Sequence, residues 1–165
     1  MDKKPIVIAI NAVSGGGKTA VTNELCRKLQ NSRAIHFDSY KTHDSHNWEL
    51  MTKDVKNIMD QPQNTKYIIL DYPLDDKHRK IAEFDIDLSV YIDTPLDIAL
   101  ARRIIRDISP QTQVDDITVL LTGYLRARST YYPPVSSQAS DFKIDGSLPI
   151  EKIADIIVEK IHEKF

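Results

Sequence analysis

The sequence predicts a three-layer α/β fold in which a five-stranded parallel sheet is covered by helices on both faces. Short apolar runs rich in β-forming residues recur along the chain, and helical patterns separate most of them. Strands that alternate with helices favour a parallel sheet, because each crossover places a helix on one face of it. The predicted strands are 6–12, 34–37, 67–71, 88–92 and 142–144.

The helical patterns differ in how clearly they are bounded. The first follows the first strand and carries Val21, Leu25 and Leu29 on one face, and the second covers 48–59. The third covers 95–108 and has the strongest start signals. We expect Thr94 to cap it, Pro95 to occupy its first position and Asp97 to complete a capping box.

The last helix, about 150–165, has an apolar stripe whose spacing predicts packing against the core. The stripe consists of Ile150, Ile153, Ile157 and Ile161. The 165 residues contain no Gly/Ser-rich or Pro-rich linker, so we expect one domain over 1–165.

Composition excludes several classes of partner. A formal net charge of −2 argues against a general nucleic-acid surface or an anionic-membrane surface, since both need clustered basic residues. Cys26 is the single cysteine, and the N-terminus shows neither a signal peptide nor a membrane span. We therefore expect a cytoplasmic protein without nucleic-acid or membrane partners. Its oligomeric state is left open, with a homo-oligomer among the alternatives.

A glycine-rich segment, Ala12-Val-Ser-Gly-Gly-Gly-Lys-Thr19, connects the first strand to the first helix. In this context it predicts a phosphate-binding loop, because glycines let backbone N–H groups converge on phosphate oxygens at the start of a helix. Lys18 would supply a positive charge and Thr19 a magnesium ligand. A nucleoside triphosphate is the expected ligand. The predicted nucleotide-binding residues are Ser14, Gly15, Gly16, Gly17, Lys18, Thr19 and Ala20.

Two aspartates terminate neighbouring strands in the predicted sheet. Asp38 follows the second strand, where a carboxylate could accept a proton from a substrate hydroxyl or hold hydrated magnesium. Asp71 ends the third strand at the spacing of a Walker-B carboxylate and is a candidate magnesium partner together with Thr19 and Asp38. The alternatives are that Asp38 caps a turn and that Asp71 belongs to an ordinary strand-terminal turn.

Three arginines, Arg102, Arg103 and Arg106, project from one side of the third helix. Guanidinium groups suit phosphate geometry, so the cluster could clamp the phosphoryl group during transfer. The alternative is a solvated helix face that pairs in part with Asp97 and Asp107.

The segment after Asp38 concentrates aromatic and polar side chains that could recognise an acceptor. The candidate substrate residues are Tyr40, Asp44, His46 and Trp48, although Trp48 could equally anchor the core. His43 and His46 have a spacing that invites a metal site, but no third ligand follows at suitable spacing.

These motifs resemble the uridine kinase-like group of the phosphoribulokinase and uridine kinase family. The loop, Phe37-Asp38-Ser39-Tyr40, Asn47-Trp48-Glu49-Leu50 and the run from Tyr91 to Asp107 occur in that family's order. The resemblance implies the P-loop NTPase fold of nucleoside and nucleotide kinases, with a short lid at about 102–116. It also implies that Asp38 is the catalytic base and that the three arginines belong to the lid. The stretch between Tyr40 and Trp48 is shorter than the nucleoside-binding segment of typical members.

The combined prediction is an ATP- and Mg²⁺-dependent kinase of a small-molecule hydroxyl, most simply uridine or cytidine. Its catalytic residues would be Lys18, Asp38, Arg102, Arg103 and Arg106. One alternative is a kinase of a non-nucleoside alcohol such as a vitamin, a sugar or a pantothenate-like compound. Another is a regulatory P-loop NTPase switch, for which no Asn-Lys-x-Asp guanine-reading string is present.

Overall fold

The computed structural model describes residues 4–42, 47–71, 83–131 and 140–165. Within these ranges five strands form one parallel sheet, and the order across the sheet is β2-β3-β1-β4-β5. The strands are β1 (Ile6–Ala12), β2 (Ser32–His36), β3 (Tyr67–Asp71), β4 (Leu88–Asp93) and β5 (Phe142–Asp145). Because all strands run in the same direction, their carboxyl ends meet at one edge of the sheet, where open α/β proteins bind ligands.

Five α-helices in the described ranges connect and cover these strands. They are α1 (Lys18–Lys28), α2 (Trp48–Asp60), α3 (Leu96–Asp107), α4 (Val114–Tyr131) and α5 (Ile150–Lys164), and a short 3₁₀ helix covers Phe37–Tyr40. In the described part of the chain, every helix is too short or too polar to cross a bilayer.

Alternating side chains along the strands build two separate apolar layers. On one face, Ile8 and Ile10 of β1 are fully buried in a cluster with residues of α1 and α5. On the other face, Val7 and Ala9 pack in a second cluster that includes Met51 of α2. This arrangement confirms the predicted three-layer fold with a five-stranded parallel sheet.

The predicted apolar stripe of the last helix lies in the core. Ile153, Ile157 and Ile161 are fully buried, and Ile150 packs at the edge of the same cluster. The stripe faces α1, and Lys28 of α1 forms an ion pair with Asp155 at 2.8 Å. Packing within the molecule, rather than a partner site, therefore explains the isoleucine repeat.

One predicted helix start is wrong. Pro95 is the N-cap residue of α3, and no side chain caps this helix. The Thr94 side chain is buried instead, and its hydroxyl donates to the carbonyl oxygen of Gly16 at 2.9 Å. A tertiary acceptor in the glycine-rich loop thus replaces the local acceptor role that the capping-box pattern predicts.

The second strand also differs from its prediction. It covers Ser32–His36 rather than 34–37, and the chain turns into the 3₁₀ helix at Phe37. As a result, Asp38 lies on a tight turn immediately after the strand rather than at the strand end itself.

Candidate active site

The glycine-rich loop wraps around the start of α1 in a conformation that needs its glycines. Gly15 and Gly17 have φ angles of +83° and +96°, in the left-handed region that other residues rarely adopt. The Gly16 N–H donates to the carbonyl oxygen of Val13 at 2.8 Å and tightens the turn. Since α1 begins at Lys18, its unpaired N–H groups open toward the space beside the loop.

Helix α3 packs directly on this loop at Gly15. A Cβ atom at Gly15 would overlap the carbonyl oxygen of Ala99 and would lie 2.9 Å from that residue's carbonyl carbon. The absence of a side chain therefore allows the backbones of the loop and α3 to approach closely. This contact brings the arginines of α3 to the rim of the loop.

Lys18 lies at the centre of the site and is held by the loop itself. Its Nζ donates to the carbonyl oxygen of Ala12 at 3.1 Å. Burial lowers the pKa of Lys18, and the neighbouring Asp71 and Asp38 carboxylates oppose this effect, whereas Arg106 adds to it. An ammonium group in this setting lacks part of its hydration, which favours binding of an anionic phosphate.

Thr19 and Asp71 form a tight polar pair beside Lys18. The Thr19 hydroxyl donates to Oδ2 of Asp71 at 2.5 Å. Nδ1 of His36 lies 3.2 Å from the same oxygen. Asp71 is buried, so these contacts fix the orientation of its carboxylate at the end of β3.

A cavity of about 700 Å³ opens at this edge of the sheet. It brings together the glycine-rich loop, the Asp38 and Asp71 carboxylates and two arginines of α3. Its lining residues are Ser14, Gly15, Gly17, Lys18, Thr19, Ala20, Asn23, Phe37, Asp38, Asp71, Arg102, Arg106 and Ile150. Most of the residues that sequence motifs single out therefore converge on one space.

The three arginines of α3 have different roles in the structure. Arg102 lines the cavity and donates through Nη1 to the carbonyl oxygen of Gly146 at 3.1 Å. Arg106 also lines the cavity, and its Nε and Nη2 donate to the two carboxylate oxygens of Asp107 at 2.6 and 3.0 Å. Arg103 does not line it and pairs with Asp107 at 3.4 Å. The hydrogen bond with Asp107 raises the pKa of Arg106, and Asp38 adds to this effect.

The candidate acceptor residues lie next to the cavity rather than in its lining. The Tyr40 hydroxyl donates to Oδ2 of Asp54 at 2.9 Å, and burial together with this bond raises the pKa of Tyr40 to about 12. The Trp48 ring packs on Phe37 with centroids 4.4 Å apart and contributes to the core on the α2 side. Asp44 and His46, as well as His43, lie outside the described residues.

Three further residues at the site have no motif that singles them out. Asn23 lies one helical turn after Thr19 and lines the cavity, so the helix period alone could have indicated it. Ile150 reaches the cavity from the start of α5, and His36 contacts Asp71 from the neighbouring strand. The last two positions depend on tertiary packing.

The donor set around Thr19 fits a magnesium ion. Hydroxyl and carboxylate oxygens are the ligands that Mg²⁺ prefers, and it commonly uses few of them because waters and phosphates complete its shell. Thr19, Asp71 and Asp38 supply such oxygens and all line the cavity. No group of three or more His, Cys, Asp or Glu side chains within the described ranges could hold a metal ion by itself.

The sequence is similar to uridine kinases over much of its length. No protein-family model matches the sequence. The uridine kinase of Clostridium tetani is 24% identical over 204 aligned positions, covering 99% of this chain and 97% of that protein. The uridine kinase of Ureaplasma urealyticum serovar 10 is 28% identical over 67% of this chain and 73% of that protein. The predicted resemblance to uridine kinases is confirmed.

Solved structures show the same fold. A shikimate kinase from Bacteroides thetaiotaomicron superimposes with a TM-score of 0.60 at 16% identity, covering 95% of this chain and 98% of that one. The APS kinase of Mycobacterium tuberculosis, in complex with AMPPNP and APS, has a TM-score of 0.60 at 16% identity, and the match covers 98% of this chain and 99% of that one. A tunicamycin resistance protein of Deinococcus radiodurans has a TM-score of 0.60 at 19% identity, and the match covers 96% of each chain. The fold is that of P-loop kinases.

Proposed function

We propose that this protein is a kinase that transfers the γ-phosphate of ATP to a hydroxyl group of a small molecule. One observation carries the proposal: a single cavity holds the phosphate loop with Lys18, the cationic rim of α3 and the Asp38 carboxylate. Phosphoryl transfer to an alcohol requires a site that binds the phosphates and a nearby carboxylate that can accept the proton of the alcohol. Similarity to uridine kinases favours uridine or cytidine as the acceptor.

The donor half of the site would hold the triphosphate by position and charge. The glycine-rich loop at the start of α1, Lys18, Arg102 and Arg106 all line the cavity. Phosphoryl transfer depends mainly on such placement and on stabilising the negative charge of the transferring group. In the proposal, the lid that excludes water covers about 102–116.

The acceptor half would depend on Asp38. Its carboxylate takes the proton from the acceptor hydroxyl while that oxygen forms a bond to the γ-phosphorus. The bond between the γ-phosphorus and the bridging β–γ oxygen breaks, and ADP leaves with the electron pair. Thr19, Asp38 and Asp71 would hold a Mg²⁺ ion, which when bound would reduce the negative charge on the phosphate oxygens. We place this reaction in the cytoplasm, where ATP is available.

The proposal is tested with purified protein, Mg²⁺, ATP and a panel of nucleosides and other hydroxylated metabolites. Acceptor-dependent ADP release and a phosphorylated product are expected for at least one compound. Asp38→Asn should lower this transfer by about 10²–10⁴-fold, the usual contribution of a general base. Asp60→Asn, at the exposed C-terminal end of α2, is the matched control and should leave it unchanged.

A second candidate acceptor class is a non-nucleoside alcohol. It is favoured by the short segment after the 3₁₀ helix, because the Asn47 N–H donates to the Tyr40 carbonyl oxygen at 2.8 Å and closes a loop of only a few residues. The same panel separates the two classes: uridine and cytidine would be inert while another alcohol is phosphorylated. Slow ATP hydrolysis that no acceptor stimulates would contradict both and would favour a regulatory NTPase.

A further inference from the structure

Thr94 connects the corner between β4 and α3 to the phosphate loop. Its side chain is buried, with 3% of the residue exposed, and its hydroxyl donates to the carbonyl oxygen of Gly16 at 2.9 Å. The two residues are 78 positions apart in the sequence. The bond therefore depends on the fold and is not part of a local turn.

The acceptor carbonyl belongs to the peptide plane that carries the N–H of Gly17. In a trans peptide the C=O and the following N–H point in opposite directions, and the plane is rigid. Gly17 lines the cavity, whereas the Gly16 carbonyl faces Thr94. Holding that carbonyl therefore directs the Gly17 N–H away from Thr94, toward the side of the loop where the cavity lies.

This peptide plane needs an external anchor more than its neighbour does. The plane before it is already fixed, because the Gly16 N–H donates to the Val13 carbonyl oxygen within the loop. Gly17 has a φ of +96°, and glycine changes between positive and negative φ at little cost. Glycine on both sides of one peptide bond leaves its orientation weakly determined by the chain itself.

Thr94 is held firmly enough to act as that anchor. Gly146 packs so closely on it that an added Cβ would lie 2.8 Å from the Thr94 Cα. The Gly146 N–H donates to the Asp93 carbonyl oxygen at 3.0 Å, and its own carbonyl accepts from Arg102. The loop after β5 and an arginine of the cavity rim thus fix the position from which Thr94 reaches the phosphate loop.

We propose that Thr94 is a positioning residue that orients the Gly17 N–H toward the phosphates of the bound nucleotide. The inference rests on the proposed function, because it assumes that the loop binds nucleotide phosphates. Loss of the hydroxyl should weaken nucleotide binding without unfolding the protein. Since hydrogen bonds to charged groups are the stronger ones, the affinity should fall by about tenfold or more.

The test measures binding of MgADP and MgATP by titration calorimetry, so no acceptor is needed. Thr94→Val removes the hydroxyl and keeps the shape, whereas Thr94→Ser keeps the hydroxyl and should restore the affinity. Thr22→Val is the matched control, because the Thr22 hydroxyl is fully buried on α1 and has no hydrogen-bond partner among the described residues. The unfolding temperature of each variant is recorded in parallel.

Weaker binding by Thr94→Val, with Thr94→Ser and Thr22→Val close to the wild type, supports the inference. Unchanged binding by a folded Thr94→Val overturns it and leaves the kinase proposal intact. If Thr94→Val does not fold, Thr94→Ala is compared with Thr94→Ser, and equal affinities overturn the inference. A wild-type protein that binds neither nucleotide overturns the proposed function itself.

Discussion

Substitution of Gly15 by alanine tests the close packing of α3 on the phosphate loop. Two costs add at this position. An alanine with a φ of +83° is strained by roughly 1–2 kcal/mol. Its Cβ would overlap the Ala99 carbonyl oxygen and lie 2.9 Å from the carbonyl carbon and 3.3 Å from the Cβ of Arg103. Because a helix backbone must shift, overpacking adds about 1–3 kcal/mol, so we expect a total loss of about 2–5 kcal/mol.

Two other glycines provide matched controls. At Gly17 the φ is +96°, but the nearest atom to an added Cβ is Cδ1 of Ile150 at 3.6 Å, an ordinary contact. Gly17→Ala should therefore cost only the conformational strain, roughly 1–2 kcal/mol. Gly123 lies within α4, and among the described residues an added Cβ would meet no heavy atom within 4 Å apart from its own chain neighbours and helix backbone. Gly123→Ala should stabilise the protein by roughly 0.5–1 kcal/mol, because alanine is the better helix former.

Urea unfolding in the absence of nucleotide, monitored by circular dichroism, gives the free energy of unfolding of each variant. The expected order of stability, from highest to lowest, is Gly123→Ala, wild type, Gly17→Ala and Gly15→Ala. If Gly15→Ala is no less stable than Gly17→Ala, then α3 does not pack against the loop as the structure describes.

Two further substitutions test the cavity and the core. Arg106→Ala should lower kcat/KM for ATP by about tenfold or more, because it removes a cation from the cavity in which the proposed reaction would take place. Arg103→Ala should have little effect, because Arg103 does not line that cavity, and equal losses in steady-state assays would contradict their different positions. Ile69→Ala should cost about 2–5 kcal/mol of unfolding free energy, because Ile69 is fully buried. Ile105, which is 80% exposed, is its control, and Ile105→Ala should change the stability by no more than about 0.5 kcal/mol.

The three central strands of the sheet could be predicted from the sequence because they are buried on both faces. Such strands appear as continuous apolar runs, and the predicted limits of 6–12 and 67–71 agree with β1 and β3. The predicted limits of 142–144 also agree with β5 to within one residue, although this strand is short and only partly buried. A parallel arrangement of these strands brings the glycine-rich loop, Asp38 and Asp71 to one edge of the sheet.

The interactions of individual side chains could not be predicted in the same way. A capping-box pattern describes only neighbours along the chain, whereas Thr94 finds its acceptor 78 residues away. Helix periodicity places three arginines on one side of α3, but it does not show that Asp107 pairs with Arg106 and Arg103. Such choices depend on distances between elements, which a local pattern does not contain.

The distribution of charge explains how an acidic chain can present a site for a polyanion. The whole sequence carries a formal charge of −2, yet the described residues that line the cavity include three cationic side chains and two carboxylates. Lys18, Arg102 and Arg106 therefore outnumber Asp38 and Asp71 where a triphosphate would lie. Since burial strengthens electrostatic interactions, this local excess has more effect on a bound phosphate than the net charge of the solvated surface. In the proposed reaction, the two carboxylates would help to hold a divalent cation and Asp38 would accept the proton, so one cavity would serve both nucleotide binding and phosphoryl transfer.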